Sequence, residues 1–144
     1  MSIEKEIVAL LTEITELVAF AIEDIEFDDL VIGRGIFIID YIGNHDRCNL
    51  KDIIANTRFP TSTSSRRVDE LVKGGFVQRT TPSNDRRQIT LQLTEKGELV
   101  FKLFREHKQR ALKRILSSFS EKEVATFASV LRHLVEHKSE IFII

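Results

Sequence analysis

FPTSTSSRRVDELVKGGFVQRTTPSNDRRQITLQLTEKG, residues 59–97, decides the fold. A hydroxyl-rich entry, Thr61 to Ser65, runs into Arg66, Arg67 and an apolar series at Val68, Leu71 and Val72. Gly74 and Gly75 end that helix. Two β-prone runs follow, Phe76–Thr80 and Gln88–Leu93, joined by a polar loop holding Pro82, Asn84, Asp85, Arg86 and Arg87. A short Ser- and Arg-rich helix with an arginine-tipped hairpin suits two grooves of a DNA duplex better than a catalytic pocket.

Upstream, Phe59–Pro60 breaks a preceding helix, because proline disfavours the α region in the residue before it. Asn49 is a good N-cap, and LKDIIAN after it reads as a short amphipathic helix with Asp52 in its first turn. Two short helices across a tight turn, the second polar and basic at its start, form a helix-turn-helix pattern. Before them, Gly33, Arg34 and Gly35 precede IFIIDYI, an apolar run too short for periodicity alone to settle as helix or strand.

Charge supports a nucleic-acid surface only when the chain is divided. Its formal net charge is −1, yet residues 1–46 hold 11 acidic and 2 basic residues, whereas residues 58–114 hold 14 basic and 6 acidic. Local potential, not the total, gathers phosphate.

Apolar residues make up 42% of the 144 residues, enough for a core. Cys48 is the sole cysteine, which excludes an intrachain disulfide and favours a cytosolic reading. The N-terminus is acidic and amphipathic, unlike a signal peptide, and no run reaches the ~18 apolar residues of a membrane span. A cytoplasmic protein without membrane partners is expected.

Ile3, Ile7, Leu10, Ile14, Leu17 and Ala21 alternate steps of four and three, an apolar seam along one helix. Asp24, Glu26, Asp28 and Asp29 make an acidic loop around Phe27. Thr94 caps the next, long helix, with Leu99, Leu103, Phe104, Leu112 and Ile115 facing inward. Ser120 and Glu123 form a capping box for the last one. Its stripe is Val124, Phe127, Leu131 and Leu134, and the tail adds Ile141 and Phe142. The first and last two helices are expected to pack together across a two-fold dimer. Ten phenylalanines, among them Phe20, Phe27, Phe37, Phe101 and Phe104, are expected to supply core bulk.

These motifs resemble those of the MarR family of winged-helix transcriptional regulators. The strongest match is Asp85-x-Arg87, then alternating Ile89, Leu91 and Leu93, then Thr94-Glu95-Lys96-Gly97. Ser65-Arg66-x-Val68-Asp69-x-Leu71 and Gly75-Phe76-Val77 sit at the family's spacing, and the flanking helices fit its dimerisation arms. Two positions depart: Asn56-Thr57-Arg58-Phe59 lacks a glycine common in the turn, and Ser64 stands where the family carries an apolar residue. The resemblance implies a mainly α winged helix-turn-helix, a three-helix core plus a β-hairpin wing, with terminal dimerisation helices. The parts would be residues 1–32, an N-terminal dimerisation helix and acidic loop; 33–97, the DNA-binding lobe; and 98–144, the C-terminal dimerisation helices.

The expected DNA contacts are Thr61, Ser62, Thr63, Ser64 and Ser65 at a helix N-terminus, where free N–H groups favour an anion. Arg66 and Arg67 are the guanine readers, and Arg87 enters the minor groove. Arg79 and Arg86 meet phosphates, and by the resemblance Asp85 orients an arginine. The bland alternative is a solvated helix face beside an ordinary charged hairpin tip. The expected partners are double-stranded DNA, a second copy of the chain and a small aromatic or phenolic effector. A repressor released from a pseudo-palindromic site by that ligand, or by oxidation, is what the family implies. The rival is a protein-interaction module that keeps the shell without DNA recognition.

No nucleophile–base–orienter set and no phosphate-cradling glycine loop is visible, so no enzyme and no cofactor is expected. His133 and His137 lie four apart on a helix, without a carboxylate evidently placed to complete a metal shell; they read as solvated. His45-Asp46-Arg47-Cys48 reads as a connecting loop. Cys48 would sense oxidant only if its pKa were depressed.

Overall fold

The computed structural model describes residues 2–57, 59–81 and 89–142, the side chain of Phe142 excepted. The helices are α1 (Ile3–Glu23), α2 (Gly35–Asn44), α3 (Leu50–Thr57), α4 (Thr61–Lys73), α5 (Glu95–Leu116), α6 (Glu121–Glu136) and α7 (Lys138–Phe142). The strands are β1 (Glu26–Phe27), β2 (Leu30–Val31), β3 (Val77–Thr80) and β4 (Thr90–Leu93). The chain forms two compact units, Met1–Leu103 and Phe104–Ile144. No helix among the described residues is long and apolar enough to cross a membrane.

The first unit is a winged helix-turn-helix. IFIIDYI is helical, and α2 buries Ile36, Ile38, Ile39 and Ile42 on nearly all sides. A helix apolar around its circumference belongs at the centre of a core. Ile53 of α3, Val68 and Leu71 of α4, and Leu91 and Leu93 of β4 close over it. The core is therefore branched aliphatic. The phenylalanines expected there lie elsewhere: Phe20 is 75% and Phe37 is 42% exposed. Phe27, Phe101 and Phe104 are half-buried, and among the described residues Phe76 is the phenylalanine in the core.

Local signals set the boundaries. Asn49 accepts from the Asp52 N–H (3.0 Å) while Asp52 accepts from the Asn49 N–H (2.9 Å), a reciprocal cap on α3. Helix α4 ends in a Schellman motif. The Phe76 N–H donates to the Leu71 carbonyl (2.9 Å), the Gly75 N–H to Val72 (3.1 Å), and Gly75 takes φ +80°. Strands β3 and β4 pair antiparallel, Val77 opposite Leu93 and Thr80 opposite Thr90. A third backbone joins them: the Leu91 N–H donates to the Cys48 carbonyl (2.8 Å).

The expected acidic loop contains a miniature hairpin, β1 against β2 with Phe27 opposite Leu30. Its two turn residues, Asp28 and Asp29, both have positive φ (53° and 59°), as a type I′ turn demands. Aspartate tolerates that region better than most side chains, which is why an Asp-Asp pair can replace the usual Asn-Gly.

Ser120 and Glu123 form the expected capping box at the start of α6. Helix α5 corrects an expectation. Its first turn buries Gly97 and Val100, but Leu99, Leu103, Leu112 and Ile115, expected to face inward, are 43–62% exposed. Helix α6 has no buried residue; Val124 and Leu134 are half-buried, and Phe127 and Leu131 are exposed. Along α1, Ile3, Ile7, Leu10, Ile14 and Leu17 are 47–62% exposed, and so is Ile141 of α7 at 45%. So much apolar helix surface exceeds what a monomer normally leaves in water.

Candidate nucleic-acid interface

Helix α4 is seated by Val68 and Leu71, and the positions three and four residues away follow its register. Ser62, Arg66 and Asp69 share the opposite, exposed face, with Lys73 continuing it. Pro60 precedes the helix in an extended conformation and no side chain caps it. The backbone N–H groups of the first turn are therefore not taken by a capping side chain. Thr61 and Ser62 are exposed there, with Thr63 and Ser65 half-buried at the flanks.

Ser64 corrects the expectation. It lies one turn before Val68, is 0% exposed, and faces the core. Its hydroxyl finds no hydrogen-bond partner among the described residues. It cannot reach a duplex from there. A buried hydroxyl left unpaired costs roughly 1–3 kcal/mol, and alanine is also the better helix former. We therefore expect Ser64→Ala to raise the thermal midpoint by several degrees while leaving DNA affinity unchanged; calorimetry and an anisotropy titration check the two halves.

Arg67 is also redirected. It is half-buried, its guanidinium stacks over Phe59 (5.3 Å to the ring centroid), and its Nε is buried without a partner among the described residues. Arg66 alone of the pair points outward. On the neighbouring strand, Arg79 is exposed and forms an ion pair with Asp69 of α4. That pair joins helix to wing and neutralises the acidic position on the outward face. Asp85, Arg86 and Arg87 lie outside the described residues.

Lys96, within the Thr94–Gly97 motif, ties the end of α4 to the β1–β2 hairpin. Its Nζ donates to the Gly74 carbonyl at the end of α4 (3.1 Å), pairs with Asp28 (3.1 Å), and sits over the Phe76 ring (4.6 Å). A cation at a helix C-terminus answers both the free carbonyls and the dipole. Beside it, Thr94 donates its hydroxyl proton to the Gly75 carbonyl and accepts from the Gly97 N–H (3.1 Å), capping α5 as expected. Thr94-Glu95-Lys96-Gly97 is thus a latch between α4, the wing and α5. Spacing gives no hint of this, since Lys96 meets its partners across 22 and 68 positions of sequence.

Cys48 is buried (2% exposed), and burial pushes its thiol pKa up, with Asp52 adding to the rise. A thiol held protonated and covered is a poor oxidant sensor. Separately, Ile14, Val18, Ile22, Phe37, Phe59 and Arg34 line a cleft of about 510 Å³ between α1 and the α2–α3 pair.

The comparisons with known proteins agree with this geometry. A family model described as "MarR family" matches residues 36–88. The chain is 29% identical over 123 residues to the HTH-type transcriptional regulator BilQ of Clostridium symbiosum, covering 83% of this chain and 82% of that one. It is 26% identical over 100 residues to the uncharacterized HTH-type transcriptional regulator YwhA of Bacillus subtilis, covering 69% and 72%. Among solved structures, FabT of Streptococcus pneumoniae in complex with DNA superposes with a TM-score of 0.77 at 21% identity, covering 96% of each chain. The relatives are regulators, not enzymes.

Proposed function

We propose that the chain, of which residues 36–88 match a MarR-family model, is a winged-helix transcriptional regulator of that family that binds a pseudo-palindromic duplex as a homodimer and represses the adjacent gene. The observation that carries this reading is the outward face of α4. Arg66 is presented there at the end of an uncapped helix start, with Ser62 beside it and Arg79 on the adjoining strand. An arginine projecting from a helix in the major groove can grip guanine O6 and N7 together. Backbone N–H groups of the first turn and the hydroxyls of Thr61 and Ser62 would hold phosphate. Arg87 would reach the minor groove and Arg86 a phosphate, from the loop between β3 and β4. The three parts of the chain would be the arm at 1–32, the DNA lobe at 33–97 and the arms at 98–144.

A second copy would cover the apolar stripes of α1 and α6, which stand exposed among the described residues. A two-fold axis then offers two α4 helices to successive major-groove faces. Release would come from a small aromatic ligand. The cleft between α1 and the lobe supports this, with Phe37 and Phe59 for a ring and Arg34 for an acidic substituent. Oxidation is disfavoured by the covered thiol of Cys48.

Selecting bound sequences from a random DNA pool tests the proposal. The expected product is an inverted repeat whose half-sites lie about 10 base pairs apart, centre to centre. A pool that never enriches would favour the rival, a winged-helix module that binds protein.

A further inference from the structure

Two of the four histidines of the chain stand together at the end of α6. The rings of His133 and His137 lie 4.2 Å apart, tilted by 37°. Glu136 joins them: one donor atom from each of His133, Glu136 and His137 falls within 4.8 Å of the others. The helical repeat is the cause, since residues three and four apart meet on one face. All three side chains are exposed, so a cation can reach them without opening the fold.

A second contact prepares one of the ligands. His137 Nδ1 lies 3.0 Å from the His133 carbonyl oxygen. That oxygen can only accept, so in the neutral ring Nδ1 carries the proton and Nε2 keeps its lone pair. Metal-binding imidazoles are held in this way, one nitrogen tied to a carbonyl and the other on the ion.

We propose that His133, Glu136 and His137 form a surface site for a divalent first-row transition ion of the zinc type. Two imidazoles and a carboxylate are the donors such ions take, whereas calcium and magnesium require oxygen-rich shells. Three protein ligands leave the fourth tetrahedral position to water. His137 also closes α6, and its carbonyl accepts the Glu140 N–H (3.0 Å) at the start of α7. The ion would therefore sit on the last turn of α6, next to the start of α7. Glu136 was within reach of the sequence: it is three residues from His133 and adjacent to His137.

Titrating zinc into the full chain by calorimetry, with melting curves alongside, tests the site. The expected result is one equimolar binding event and a raised midpoint in saturating zinc. His133→Gln, Glu136→Gln and His137→Gln should each weaken that event by at least the roughly tenfold that loss of an outer-shell partner costs. His45→Gln and His107→Gln, altering the other two histidines, should leave it unchanged. Absence of zinc binding, equal binding by the double variant H133Q/H137Q, or loss in His45→Gln or His107→Gln instead, would overturn the proposal. The substituted side chains are all exposed, so unchanged helicity by circular dichroism separates lost ligation from lost folding.

Discussion

Replacing Gly97 with alanine should destabilise the protein more than any other change of one methyl group in the latch. A Cβ at Gly97 would stand 2.0 Å from the Phe76 carbonyl oxygen, 3.0 Å from its carbon and 3.2 Å from Leu93 Cβ. Neither side can yield cheaply. The Phe76 oxygen accepts the Thr94 N–H (3.1 Å), and the Gly97 N–H is held by the Thr94 hydroxyl. Overpacking against fixed backbone costs about 3 kcal/mol or more, which in a chain of this length lowers the midpoint by roughly 6–12 °C. Gly75→Ala makes the informative contrast. Its Cβ meets nothing within 4 Å, but φ +80° is a left-handed conformation, so only about 1 kcal/mol should be lost. Melting curves of both variants check the order. An unchanged midpoint for Gly97→Ala would mean that α5 does not press on Phe76.

The second large effect concerns assembly. Phe127 is 48% exposed on α6, beside Val130 and Leu131, in a helix with no buried residue. With Ile115, Phe119 and Val130 it lines an apolar cleft of about 700 Å³. If a second copy fills that surface, Phe127→Glu places a charge where water is excluded, and dimers should dissociate to monomers. Operator affinity should fall with them by about 10²–10⁴, because the second half-site is no longer held at high effective concentration. Light scattering coupled to size exclusion reads the first effect and anisotropy the second. A variant that remains dimeric and binds as before would remove α6 from the interface.

Much of the fold was legible because its signals are local. Pro60, Gly74–Gly75, Asn49 with Asp52, and Ser120 with Glu123 each mark a boundary through chemistry that acts within four residues. The alternation of Leu91 and Leu93 placed the wing strand for the same reason. Long-range facts were not legible. Nothing near Lys96 in the sequence says that it caps α4 or meets Asp28, and nothing near Cys48 says that it pairs with Leu91. Ser64 is an intermediate case. Its spacing of four to Val68 and seven to Leu71 marks the core face, but a serine is weighed as a surface residue and its register was outvoted by its chemistry. The phenylalanines misled in the opposite direction. Large apolar side chains were assigned to a core that the isoleucines of α2 already fill.

We propose that the face of α4 bearing Arg66 meets a phosphate-rich duplex. The most direct test is the salt dependence of binding to a selected DNA site, measured for the unmodified chain and for Arg66→Ala. Counterion release predicts that the affinity of the unmodified dimer falls by about 10³ or more between 50 and 200 mM salt. Arg66→Ala should keep most of that slope but lose about 1–3 kcal/mol of preference for the selected site over a scrambled one. A flat salt response, or a preference that survives the loss of Arg66, would contradict the account.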